Sequence, residues 1–254
     1  MCDRLKKFRH LDLFSGIGGF ALAASWVWGQ QHEIHSFVEI EPFAQKVLKK
    51  HWPDVPIHED VTTYEHDGSS IDIISGGFPC QDLSSNGKHL GFEGERSSLY
   101  GEILRICHDV RPKYVVMENV PNLLIGGGGE WFGRFLRDLA QSGYDAEWES
   151  ISAASFGFNH IRDRIFIVAH PTSVRWSTVK FQNRVSSTHK RLSREYSSPS
   201  NQKTRRISKA DITTEVDGIP NFLDQLKGYG NAIVPQAVVP IFEAIKLIEE
   251  QNSD

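Results

Sequence analysis

A cysteine, a glutamate and two arginines stand in this sequence where short apolar runs give way to loops. Cys80 lies in Gly76-Gly-Phe-Pro-Cys-Gln81, directly after the run Ile71–Ser75. A thiol in such a loop can be exposed and ionised beside donors or cations, and the thiolate is a nucleophile. Cysteine is also a common filler of cores. Cys107, inside an amphipathic stretch, fits that filler role better, and Cys2 is terminal. Glu118 opens Glu118-Asn-Val120 at the end of the run Lys113–Met117. A carboxylate there either overlooks the same crevice as Cys80 or caps the helix that follows. Arg162 and Arg164 flank Asp163 just before the run Ile165–Ala169. Their forked donors suit phosphates and carbonyl oxygens, or surface ion pairs.

A second group lies near the N-terminus. Asp12-Leu-Phe-Ser-Gly-Ile-Gly-Gly-Phe20 carries glycines at 16, 18 and 19, which let a backbone turn tightly and approach a ligand. Glu39, 23 residues beyond Gly16, is placed to accept hydrogen bonds from ribose hydroxyls. That arrangement serves NAD and S-adenosylmethionine alike, since both present an adenosine. Phe20 and Ala21 do not supply the further glycine of a dinucleotide fingerprint.

These residues need a frame that gathers loop ends. The alternation of apolar runs with amphipathic stretches predicts strands over His10–Phe14, Ile34–Glu39, Ile71–Ser75, Lys113–Glu118, around Ala146–Ser152, and Arg164–Ala169. It predicts helices over Gly18–Trp28, Pro42–His51, Leu99–Val110 and Glu130–Gln141. Such a pattern implies an α/β fold, with a mainly parallel, doubly wound sheet whose ligands sit at strand carboxyl ends. Residues 1–170 form the catalytic and cofactor-binding domain in this reading. Residues 171–217 change in texture, rich in Ser, Thr, Lys and Arg with little apolar periodicity, and taken alone are compatible with disorder. Residues 218–254 return to the first domain through a helix over Ala232–Ile248, bent or restarted at Pro240.

Charge divides along the same boundary. The chain has a net charge of −4, yet residues 171–217 hold 10 Lys and Arg against 4 Asp and Glu, leaving 18 basic and 28 acidic residues elsewhere. A basic insert on an acidic body reads as a small, irregular phosphate-binding lobe or as a solvated loop. On the first reading Arg175, Lys203, Arg205 and Arg206 contact phosphates. No run reaches the ~18 apolar residues of a membrane span, and the charged N-terminus has no signal-peptide core. A cytoplasmic, nucleoid-associated monomer is expected. Three scattered cysteines make neither a disulfide framework nor a zinc site, so no metal is expected.

DLFSGIGGF, Glu39, GGFPCQ, ENV, HIRDRIFIVA and LKGYGNAIVPQ occur in an order that resembles the C5-cytosine DNA methyltransferases, in their compact bacterial or phage form. The resemblance covers about residues 10–170 and 218–248. It implies S-adenosylmethionine as co-substrate and duplex DNA as partner. It assigns Phe14, Gly16 and Gly18 to the cofactor pocket, Glu39 to the ribose, Ile40 to the adenine face, Asp60 to the adenine amino group and Asn231 to the methionine end. It makes Cys80 the nucleophile toward C6 of a flipped cytosine, Glu118 the carboxyl group on the ring, Arg164 the arginine facing the base and Arg162 its neighbour near the phosphate. It also makes the stretch from Gln81 to Ser98 a closing loop. Two departures stand out. Asn159-His160-Ile161-Arg162 lacks one arginine of the usual cluster, and the recognition region is short. Competing readings are an RNA cytosine methylase, whose loop resembles Pro-Pro-Cys rather than Phe78-Pro-Cys80, a silent DNA-binding relative, and an NAD oxidoreductase.

Overall fold

The computed structural model describes residues 7–78, 99–156, 162–196 and 232–252. Seven strands form one sheet: β1 (Phe8–Leu13), β2 (His32–Val38), β3 (Ile57–His58), β4 (Ile73–Gly77), β5 (Tyr114–Asn119), β6 (Tyr144–Ser152) and β7 (Asp163–Pro171). Their order is β3-β2-β1-β4-β5-β7-β6, and β7 alone runs against its neighbours. Strand order reverses between β1 and β4, which lie side by side in parallel. The crevice of a doubly wound sheet opens at that switch point.

Alternation along the central strands shows why both faces are covered. Tyr114, Val116, Phe166 and Val168 face one core, while Val115, Met117, Ile165 and Ile167 face the other. The first core is closed by α1 (Gly19–Trp28) together with the helices over Thr178–Tyr196 and Pro235–Asn252. The second is closed by α3 (Leu99–Val110) and α5 (Glu130–Gln141), with the short α4 (Asn122–Ile125) beside them. The helix α2 (Pro42–His51) packs Leu48 against Ala21 and Phe37 at the sheet edge. The edge strand β6 alternates in exposure, whereas β5 is buried throughout, as its unbroken apolar run requires.

Residues Thr178–Tyr196 form a helix, α6, where the sequence shows little periodicity. Its apolar stripe is thin but regular: Phe181, Val185, Thr188 and Leu192 are buried at one position per turn. The stripe packs on the last helix, α7 (Pro235–Asn252). Arg184 and Arg191 reinforce the contact through Glu243, at 2.9 and 2.8 Å. Half of the basic insert is thus docked on the body. The last helix starts at Pro235 rather than Ala232, since proline suits a first helical position and disfavours helix in the residue before it. It then continues through Pro240 without a restart. Among the described residues no helix is long and apolar enough to cross a membrane.

Candidate active site

The glycine-rich loop leaves β1 with strain in its backbone. Phe14 has φ +50°, unusual for a residue with a side chain, and Gly16 and Gly18 have φ of +53° and +86°. The glycines differ in what surrounds them. A Cβ on Gly16 would meet nothing within 4 Å, so this part of the loop faces open space. A Cβ on Gly18 would lie 2.6 Å from Trp52, so Gly18 serves the packing of α1 against α2 rather than an open pocket wall.

Glu39 follows β2 and is buried against this loop. Its Oε2 accepts from Gly16 N at 2.7 Å and its Oε1 from Glu41 N at 2.8 Å. Burial raises its pKa above the usual carboxylate range, against the pull of those amides. A carboxylate has about four acceptor positions, so both oxygens retain capacity for further donors. The next residue, Ile40, is 68% exposed, a large apolar side chain without cover. Asp60 accepts from both Thr62 N and Thr62 Oγ1 through Oδ1, which holds its pKa below the usual value. An anionic carboxylate, an apolar platform and an acceptor along one edge fit the ribose and adenine of an adenosyl group.

The catalytic candidates come together across the strand ends. Glu118 pairs with Gly77 in the β4–β5 register, and Arg164 Nε lies 2.6 Å from Glu118 Oε1. Arg162 and Arg164 line a narrow recess with Glu118, Ile151, Ala153, Phe166, Ile233 and Val234. Burial pushes the Glu118 carboxyl up, and the charges of Arg164 and then Arg162 oppose that rise. Burial and the adjacent Arg164 lower Arg162.

Three residues beyond the expected set shape this recess. Gly77 makes room for the carboxyl group, because a Cβ there would stand 3.1 Å from Glu118 Oε2. Asn119 donates from Nδ2 to the Phe78 carbonyl at 3.1 Å, fixing the chain two residues before Cys80. Ile233 packs against Gly19, where a Cβ would come within 2.7 Å of it, and ties the segment leading into α7 to the glycine-rich loop. All three stand within the sequence motifs, but type and spacing alone give them no role.

Cys80, Asn231, Lys203, Arg205 and Arg206 lie outside the described residues. Cys107 is buried, and desolvation pushes its thiol up to about 12, which makes it inert. Arg175 is not brought to the site. It follows β7, whose direction carries it to the sheet end opposite Glu118, and its carbonyl accepts from Asn252 at the end of α7.

The sequence profile of the C-5 cytosine-specific DNA methylases matches residues 8–229. The chain is 39% identical over 165 residues to the type II methyltransferase M1.ScrFI of Lactococcus lactis subsp. cremoris, covering 64% of this chain and 41% of that one. It is 33% identical over 163 residues to M2.BsuMI of Bacillus subtilis, covering 63% and 41%. Among solved structures, a prophage-encoded putative DNA modification methyltransferase from E. coli superposes with a TM-score of 0.55 at 24% identity, over 69% of this chain and 50% of that one. The S. pombe Dnmt2 methyltransferase gives 0.54 at 23%, over 70% and 55%. The sheet order and these superpositions show that the chain has the fold of those methyltransferases. Within that class, the chain belongs to the C-5 cytosine-specific DNA methylase family. It spans about two-fifths of the length of the curated relatives it matches.

Proposed function

We propose that this protein methylates C5 of cytosine in duplex DNA, with S-adenosylmethionine as methyl donor and Cys80 as nucleophile. The observation that carries the reading is the desolvated Glu118 carboxyl, held by Arg164 beside the strand end from which the Cys80 loop departs. When bound, S-adenosylmethionine supplies a methyl group on a sulfonium. Phe14, Gly16, Glu39, Ile40, Asp60 and Asn231 are the residues assigned to hold it.

C5 of cytosine is a poor nucleophile, so a thiolate must first add to C6. Charge then builds at N3 and O2 of the ring. The Glu118 carboxyl, whose proton affinity burial raises, hydrogen-bonds toward N3, and Arg164 offers its remaining N–H groups to the ring oxygen. C5 takes the methyl group, a base removes the C5 proton, and Cys80 leaves to restore the ring. The target carbon is hidden within the base stack, so the cytosine is turned out of the duplex before reaction.

The basic surface for DNA is assigned to Lys203, Arg205 and Arg206, with Arg162 near the phosphate. The C-terminal half of α6 offers two further cations. His189 packs its ring on Phe156, which lies a few residues before Arg162, so Lys190 and Arg194 sit at the catalytic end of the sheet. Expression in a host lacking cytosine methylation, followed by bisulfite sequencing, tests the activity. Protected cytosines in one sequence context are expected; DNA that stays unmodified while RNA cytosines become methylated overturns the choice of substrate.

A further inference from the structure

Far from the catalytic recess, three potential ligand atoms converge between β2 and the turn that leads into β4. They are His35 Nε2, His66 Nδ1 and a carboxylate oxygen of Asp67, all within 4.8 Å of one another. We propose that His35, His66 and Asp67 form a binding site for a divalent transition metal of the zinc type, its remaining positions filled by water.

The turn prepares two of the ligands. His66 Nε2 lies 2.6 Å from the Ser69 carbonyl, which can only accept, so Nε2 carries the ring proton. Nδ1 is therefore left with a bare lone pair. That atom is buried without a hydrogen-bond partner, and the His66 side chain is only 8% exposed. It faces Asp67 Oδ1 at 3.8 Å, acceptor against acceptor. Asp67 Oδ1 also accepts from Ser69 N at 2.9 Å, and Gly68, with φ +81°, permits the tight turn that fixes both. His35 Nε2 is the third candidate ligand atom, 3.6 Å from the same oxygen. Tetrahedral zinc with bonds of about 2.0–2.1 Å needs ligand atoms roughly 3.4 Å apart, so a modest contraction completes the site. Two imidazoles and one carboxylate select zinc, cobalt, nickel or copper over calcium or magnesium. The Ser69 carbonyl supplies the outer contact that such histidines commonly make.

Arg9 sets the affinity. Its Nη2 donates to His35 Nδ1 at 3.1 Å, which leaves the proton of that ring on Nε2. Metal binding moves this proton to Nδ1 and turns the guanidinium toward Glu33, whose Oε1 is already 3.4 Å from Arg9 Nε. A glutamine at position 9 would offer Nδ1–H a carbonyl acceptor and remove a positive charge. Occupancy would fasten the segment carrying Asp60 to β2.

The test is titration of the metal-stripped, tag-free chain with cobalt(II), followed by displacement with zinc. One equivalent of cobalt is expected to give visible d–d absorption without a thiolate charge-transfer band, unchanged in Cys80→Ser. His66→Ala and Asp67→Asn are each expected to weaken binding at least tenfold, and Arg9→Gln to tighten it by a similar factor. Asp67 is largely exposed, so Asp67→Asn gives a folded protein even should His66→Ala not. Absence of saturable binding, or a signal that Asp67→Asn leaves intact, overturns the proposal, as does weaker binding in Arg9→Gln.

Discussion

Arg164 Nε is 2.6 Å from Glu118 Oε1, and the carboxylate it holds is only 11% exposed. The two come from neighbouring antiparallel strands, β5 and β7, so the pair is locked into the sheet itself. Removing one partner of such a pair strands the other without compensation. Arg164→Ala is expected to lower kcat by at least about 100-fold, the equivalent of about 3 kcal/mol for a charged hydrogen bond. Loss of its charge also lets burial raise the Glu118 pKa further, so the alkaline limb of the pH–rate profile should move upward. Steady-state kinetics across pH 6 to 10 check this; an unmoved limb would mean that Glu118 is not the titrating group.

Gly77 gives a subtler probe of the same carboxyl group. With a Cβ 3.1 Å from Glu118 Oε2, Gly77→Ala should push the carboxyl group aside by a few tenths of an ångström. Misplacement on that scale is expected to reduce kcat about tenfold while cofactor affinity stays within twofold. Equal loss in both quantities would place the effect in folding rather than in the recess.

The cofactor half separates stability from binding. Ile40 is 68% exposed, so Ile40→Ala should leave the Tm nearly unchanged yet weaken S-adenosylmethionine binding by roughly 1 kcal/mol, through reduced apolar burial. Glu39→Ala should weaken it by about 1.5–3 kcal/mol, the range for hydrogen bonds to a charged acceptor. Calorimetry reads both, and unchanged affinity in a folded Glu39→Ala protein would remove the assigned pocket.

Acid stability should be set partly by a buried histidine pair. His10 Nδ1 and His32 Nε2 are 3.0 Å apart, and His10 Nε2 lies 2.6 Å from Ser75 Oγ, which in turn donates to Asp12. Burial lowers His32 to about 4 and lowers His10 as well. A histidine depressed in this way binds its proton more readily when unfolded, so stability is lost as pH falls from 6.5 toward 4. For His32 alone the loss reaches up to about 3 kcal/mol. His32→Gln should flatten the fall in Tm between those pH values; an equally steep fall would assign acid sensitivity elsewhere.

DNA affinity should depend on which end of the sheet a cation occupies. Neutralising Lys203, Arg205 and Arg206 should flatten the log–log dependence of binding on salt, by up to about one unit for each phosphate left without its cation. Lys190→Ala with Arg194→Ala should act in the same direction. Arg175→Ala, at the far end, should leave the slope unchanged, and a changed slope would mean that DNA wraps around the sheet edge.

The centre of the sheet was legible because β5 and β7 carry continuous apolar runs, a pattern that two-sided burial demands. The bounds of α2, α3 and α5 follow their amphipathic periods. The helix α6 was not legible, since one apolar residue per turn among Ser, Thr and Arg gives a weak period, and its partner α7 lies some 40 residues beyond it. Glu118, Arg162 and Arg164 were readable as strand-end charges, yet no spacing reveals that Glu118 and Arg164 pair, because only the antiparallel turn of β7 makes them neighbours. His35 and His66 give no joint signal in the sequence for a similar reason: a β-strand and a distant turn meet only in the fold.

Attack of Cys80 on the cytosine ring can be trapped with a fluorinated substrate. DNA carrying 5-fluorocytosine should accept the methyl group and then stall, because fluorine replaces the proton that must leave C5. The enzyme should remain covalently joined to the strand through denaturing electrophoresis, in a reaction that needs S-adenosylmethionine. Cys80→Ser should abolish the adduct and Cys107→Ser should retain it. An adduct that persists in Cys80→Ser, or efficient methylation of ordinary DNA with no adduct on the fluorinated strand, would contradict the mechanism.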